Sequence, residues 1–268
     1  MTALETTTRQ HGLTGAAGGA ARGERKVPML RLVAVELRKL ADTRAGLWLL
    51  IVIGLASVAT GAILLLAGPP EEQTFAGFFG FAQLPAGVLL PVLGILSMTG
   101  EWTQRTALTS FALVPQRGRV FAAKLIAAVV IAVLAAAATF AFAAAGNLVA
   151  LAGDGDGSWT IGWWLVLQCL ALQVLFVLMG SAFGALLMNT PLSIVAFFAL
   201  PMVWTILGET IRSLRTAASW LDINTTTTPL TEAALTGGQW ARLGVSCAVW
   251  ILVPLIAGAA RVLKREVA

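Results

Sequence analysis

The sequence predicts an all-α polytopic membrane protein with six transmembrane helices, and three observations carry that expectation. Apolar residues make up 58% of the 268 and charged residues only 12%, against about 45–50% and about 25% in an ordinary soluble domain. The apolar residues are gathered into uncharged runs long enough to cross a bilayer. The basic residues flank alternate runs, so the net charge of +5 reflects membrane topology. No continuous basic stripe or recognition motif points to nucleic acid.

Residues 1–28 are rich in Gly, Ala, Thr and Arg and poor in large apolar side chains, so they bury too little surface to offset the entropy of ordering. They read as a disordered cytoplasmic tail, leaving 29–268 as the transmembrane domain. No cleaved secretory signal is expected, because the first long apolar run begins only at Leu47.

Met29 to Arg44 reads as an amphipathic helix. Leu30, Val33, Leu37 and Leu40 recur at helical spacing, while Arg31, Arg38, Lys39 and Asp42 occupy other faces. It is expected to lie flat at the cytoplasmic surface. Crossing a hydrocarbon core of about 30 Å takes roughly 20 helical residues, and Leu47–Ala67 is the first such run. The second span, about 78–99, sits in the 28 uncharged residues between Glu72 and Glu101, where Pro85 and Pro91 are expected to bend or break it. The third, about 125–151, is rich in alanine.

From Gly157 to Gly208 there are 52 residues without a charge, more than twice what one helix needs to cross. The chain must therefore fold back. Met188, Asn189, Thr190 and Pro191 mark the break, with Thr190 expected to cap the new helix, giving spans at about 163–188 and 191–208. A sixth, about 243–260, carries Pro254 as an expected kink. The longest external segment is Glu209–Arg242. Ile211, Leu214, Ala218 and Leu221 share one helical face there, predicting a short interfacial or re-entrant helix before a turn at Thr225–Thr228. Gly180 and Gly184 form a Gly-x-x-x-Gly pair suited to close helix packing within the chain.

Six spans put both termini on one side. The N-terminal region carries eight Lys/Arg, the 101–124 loop four and the C-terminal end three, whereas the opposite loops carry only Arg212, Arg215 and Arg242. Positive charge is retained in the cytoplasm, so both termini are expected there. Trp48, Trp159, Trp163, Trp164 and Trp240 lie near span ends, as interface anchors do.

The spans carry no Asp, Glu, Lys, Arg or His, the residues that proton relays and ion-coupled carriers use. Cys169 and Cys247 sit singly in apolar runs and the lone His11 lies in the tail, so no metal site is predicted. An intramembrane enzyme would need an activated nucleophile, and only isolated Ser57, Ser97, Ser181, Ser193 and Ser246 occur in the spans. There is no Gly-x-x-x-x-Gly-Lys-Ser/Thr phosphate loop and no soluble region large enough for a nucleotide-binding domain. The chain is not expected to be an enzyme by itself, and no cofactor is expected in it.

The loop after the second span reads G-E-W-T-Q-R-T-A-L-T-S-F-A-L-V-P-Q-R-G-R-V-F-A-A-K over 100–124, and V-E-L-R-K-L-A-D-T-R precedes the first. Together they resemble the membrane subunits of type-2 ATP-binding-cassette exporters. Glu101, Trp102, Thr106, Pro115, Arg117, Arg119 and Lys124 match that family's pattern, while Arg105 replaces its usual Gly and Thr103 a frequent Arg. The resemblance implies a cytoplasmic coupling helix around Glu101–Leu113, with Glu101, Trp102, Thr103, Gln104, Arg105, Thr106, Arg117 and Arg119 meeting the ATPase. An interfacial helix bearing Glu36, Leu37, Arg38 and Lys39 would lie beside it.

It further implies two cytosolic cassette ATPase subunits, which would bind ATP and Mg, and a second membrane subunit, identical or homologous, in the bacterial inner membrane. Apart from membrane lipids, the remaining partner is a cargo: a drug, antibiotic, lipid or peptide of amphipathic or hydrophobic character. Phe140, Asn147, Gln168, Gln173 and Phe197 are the candidates for its path. The alternative reading is a non-transporting scaffold or signalling anchor that recruits a cytosolic partner.

Overall fold

The computed structural model describes residues 27–103, 117–153, 155–231 and 235–264, and among them every regular element is helical. The helices are α1 (Met29–Asp42), α2 (Arg44–Ala67), α3 (Phe75–Thr103), α4 (Arg117–Leu151), α5 (Trp163–Leu187), α6 (Thr190–Thr210), the short α7 (Arg215–Leu221) and α8 (Ile223–Thr227), α9 (Gly237–Cys247) and α10 (Val253–Lys264). A π-helical turn, Ala248–Leu252, joins α9 to α10. Counting α9–α10 as one, six helices are long and apolar enough to cross a membrane, which makes this a membrane-embedded protein. Most of the expected tail, and all of the expected coupling helix beyond its first three residues, lie outside the described residues.

Six helices of membrane-crossing length are present, the expected number, and most of them extend past the expected bounds. α4 begins at Arg117, so Arg117, Arg119 and Lys124 belong to its first two turns and not to a loop. At about 1.5 Å per residue its 35 residues reach about 52 Å, well beyond a hydrocarbon core of about 30 Å. Pro85 and Pro91 do not break the second span: α3 is one continuous helix through both. Neighbours on several sides, α2, α4 and α5, hold it in place, which is the circumstance in which membrane helices tolerate proline.

α3 and α5 form the centre of the bundle. Half of α5's most apolar window is buried, against 17% for α2, which places α2 at the edge. Lipid tails are as apolar as leucine, so helices associate here through close packing. Gly180 shows how close: a Cβ there would overlap the carbonyl oxygen of Pro91, while Gly184 rests on Ile95. The Gly-x-x-x-Gly pair thus works within the chain.

α5 ends at Met188, which takes the left-handed conformation and donates its N–H to the Gly184 carbonyl. The next helix is capped by Asn189, whose side chain accepts from the Leu192 N–H at 3.0 Å. The cap therefore falls one residue before the expected Thr190, which instead shares a 2.7 Å hydrogen bond with Thr99 of α3. At Pro254 the missing N–H coincides with the π turn just before it, where the helix widens.

Beyond α6 the chain doubles back. α7 and α8 pack on α6 and α9, with Ile223 and Leu230 fully buried. Residues 225–227 are helical, not a turn, because Asp222 caps α8. Its carboxylate accepts from the Thr225 hydroxyl at 2.6 Å and the Thr205 hydroxyl at 2.9 Å. The Trp250 indole and the Ser246 hydroxyl both donate to the Leu221 carbonyl, at 2.6 and 3.4 Å. At the same end the 155–158 segment is laid against 70–75 through Phe75 N–H to Ser158 O (2.8 Å) and Asp156 N–H to Pro70 O (3.1 Å).

Candidate functional site

Among the described residues, charge is most concentrated at the opposite end of the bundle. α1 buries Leu32, Val33, Glu36 and Leu40, residues that share one face at spacings of three and four. Relative to the expected register the buried face is rotated: Leu30 points outward, 84% exposed, and Leu37 is only half-buried. Glu36 therefore lies in the middle of an apolar contact surface against α4. A carboxylate in that position requires cationic partners.

Two lysines supply them. Lys124 of α4 reaches Glu36 at 2.7 Å and Glu101, near the end of α3, at 3.2 Å. Lys39, one turn beyond Glu36, reaches Glu36 at 2.9 Å and Glu101 at 2.8 Å. Glu36, Lys124, Glu101 and Lys39 thus form a closed ring of four alternating charges, neutral overall, joining α1, α3 and α4. Only Lys39 is substantially open to solvent, at 42% of its side chain. Lys124 also donates to the Ser97 carbonyl at 3.2 Å. Burial pulls the Lys39 ammonium toward its neutral form, but hydrogen bonds and attraction from Glu101 and Glu36 more than offset this and hold its pKa above the ordinary 10.5.

Local sequence explains the geometry. Thr43 leaves the helical conformation and caps α2 by accepting from the Gly46 N–H at 3.3 Å. A Cβ on Gly46 would overlap the Leu40 carbonyl oxygen, so glycine permits the tight elbow that folds α1 back beside the bundle. Arg119 donates to the Val27 carbonyl, fixing the start of α1 to α4.

Of the residues singled out from sequence, Glu36, Lys39 and Glu101 meet in the ring. Leu37 packs against the core cluster of Leu40, Ile53 and Leu90, and Arg38 points outward, paired with Asp42 at 3.0 Å. Arg117 lines a small cleft with Met98, Glu101, Val120, Phe121, Lys124, Ala185 and Val262. Trp102 and Thr103 close the last turn of α3. Gln104, Arg105 and Thr106 lie outside the described residues.

The candidate path residues are spread over three helices. Phe140 sits edge-on to Phe75, ring centres 4.8 Å apart, in an aromatic group with Phe79. Asn147 is fully buried and donates to the Gly157 carbonyl at 2.9 Å. Gln168 is buried, and Gln173 donates to Gln83 of α3. Phe197 belongs to a different cluster, with Phe183 and Ile223. Asn147, Gln173 and Phe197 are thus occupied in the chain's own packing.

Sequence reasoning had Lys124 as a motif residue but not as a site residue, and it missed Gln83. The signal for Lys124 was a lysine set inside V-F-A-A-K-L-I-A-A, where a charge persists only if paired. Among the described residues no group of His, Cys, Asp and Glu is arranged to hold a metal ion. Compared with known proteins, the sequence matches no family model, and no curated protein matches it.

Proposed function

We propose that this chain is the membrane subunit of an ATP-driven exporter, moving an amphipathic or hydrophobic cargo outward with energy from a separate cytosolic cassette ATPase. The observation that carries the proposal is the charge ring. Glu101 opens the G-E-W-T-Q-R-T segment that resembles the ATPase-contacting part of type-2 cassette exporters. Its carboxylate is bound to both lysines, one on α1 and one on α4. A push on the segment that follows Glu101 would reach α1, α3 and α4 together.

Three further features support the reading. The cores of the candidate spans carry no ionisable pairs of the kind that couple transport to an ion gradient. The chain has no phosphate-binding loop of its own, so the driving force comes from a partner. Most of the described basic residues lie at the ring end, with only Arg212, Arg215 and Arg242 at the other, which matches a cytoplasmic surface with both termini on that side. In the working assembly two membrane subunits sit on two ATPases, and ATP-driven closure switches the bundle between two packed arrangements.

The test is co-purification with a cytosolic cassette ATPase, followed by ATP turnover of the complex in lipid. A stable complex is expected, with hydrolysis that responds to the membrane subunit and is weakened by Arg105→Glu. Turnover stimulated by a transported compound would separate an exporter from a scaffold that merely recruits a cytosolic partner.

A further inference from the structure

The cleft beside the ring has a chemistry that the ring does not use. It opens between the first turns of α4, the end of α5 and the last turns of α10, with Arg117 and Lys124 on one side and Val120, Phe121 and Val262 as apolar wall. Its level in the membrane follows from α4, whose uncharged stretch begins only after Lys124. The first two turns of that helix therefore stand at the polar boundary, where headgroup phosphates lie.

Charge at this end is strongly one-sided. Among the described residues, Arg31, Arg38, Lys39, Arg44, Arg117, Arg119, Lys124, Arg261 and Lys264 face only Glu36, Asp42 and Glu101. The ring holds two charges of each sign and Arg38 is matched by Asp42, so cations outnumber carboxylates among the described residues at this end. At the far end Arg212, Arg215 and Arg242 are outnumbered by Glu71, Glu72, Asp156, Glu209 and Asp222.

We propose that the mouth of this cleft binds one anionic phospholipid, its phosphate against Arg117 and an acyl chain against Phe121, the half-buried residue of the apolar wall. Basic pockets between membrane helices at the cytoplasmic boundary select anionic headgroups in this way. A guanidinium presents five N–H donors in a fork suited to phosphate, so Arg117 accommodates a phosphate oxygen alongside its contacts within the chain. Glu101 also lines the cleft, but its charge is answered by Lys39 and Lys124. The lipid would fasten α4, α5 and α10 at the end where the ring already fastens α1, α3 and α4. No part of this depends on the exporter reading, and its test uses the chain alone.

The full chain, purified in a neutral detergent, is titrated with phosphatidylglycerol or with phosphatidylcholine and followed by native mass spectrometry and by its thermal unfolding midpoint. Retention of one phosphatidylglycerol and a raised midpoint are expected, with phosphatidylcholine and inorganic phosphate giving neither. Arg117→Gln is expected to weaken phosphatidylglycerol binding about fivefold, the equivalent of roughly 1 kcal/mol per basic side chain at an anionic surface. Arg117→Lys should retain most of the affinity, and Arg242→Gln at the far end should leave it unchanged. Phe121→Ala, which removes the open part of the apolar wall while keeping every charge, should also reduce binding and keeps the test open if Arg117→Gln folds poorly. Equal retention of the two lipids, or phosphatidylglycerol binding unaltered by both Arg117→Gln and Phe121→Ala, would overturn the proposal.

Discussion

The ring binds four side chains into one electrostatic unit, so its energetics are those of the set and not of four separate pairs. Removing Lys124 leaves the buried carboxylates of Glu36 and Glu101 sharing Lys39 alone, one negative charge in excess, a loss of about 3–5 kcal/mol. Lys124→Met should therefore lower the unfolding midpoint sharply in detergent. Glu36→Leu combined with Lys124→Met removes one charge of each sign and should recover most of that loss, a non-additivity that a double-mutant cycle reads directly. The pH dependence follows from Lys39. Its folded-state pKa lies above 10.5, so the stability it contributes is fully present below that value and is lost only as pH rises through the higher folded-state value. Unfolding midpoints measured from neutral pH upward should show this loss only at the alkaline extreme, and Lys39→Met should abolish it. The Gln83–Gln173 pair behaves by the same logic: Gln173 Nε2 donates to Gln83 Oε1, while Gln83 Nε2 and Gln173 Oε1 are buried without a partner among the described residues. Gln173→Leu alone strands Gln83 in the bundle, so it should destabilise more than the double replacement by leucine.

Helix-scale features were legible to different degrees. Span number and order followed from the length of the uncharged runs, because bilayer thickness fixes helix length. Helix ends were less legible: α4 begins eight residues before its uncharged run, where Arg119 and Lys124 are held by Val27 and Glu36, partners distant in sequence. The continuity of α3 through two prolines was hidden for the same reason, since propensity speaks for an isolated helix and not for one enclosed by three others. The α1 face was misread by a rotation because a glutamate was not counted as a buried residue. The α3–α5 seam, by contrast, was visible in Gly180 and Gly184. Gly180→Ala should cost about 1–3 kcal/mol through overpacking against Pro91, measurable as a lower unfolding midpoint. Trp250→Phe removes the indole bond to Leu221 and should cost about 1 kcal/mol, with faster hydrogen exchange across 215–231 as its local signature.

For the molecule as a whole, the two ends differ in kind. One is knit by backbone contacts between short segments and by the Asp222 cap; the other is held by buried charge and carries an excess of cations. That asymmetry fits a bundle whose basic end faces the cytoplasm and receives force there. The sequence made the asymmetry readable from Lys/Arg positions alone, whereas the ring required three elements distant in sequence to converge. The most direct test of the account replaces Cys169 and Cys247 with alanine, places a single cysteine at Gln104, three residues past Glu101, and asks whether it cross-links to the cassette ATPase in membranes. A cross-link that changes in yield with ATP is expected, together with labelling by an impermeant thiol reagent only in inverted vesicles. A cysteine labelled from the outside of intact cells, with no cross-link to the ATPase, would contradict it.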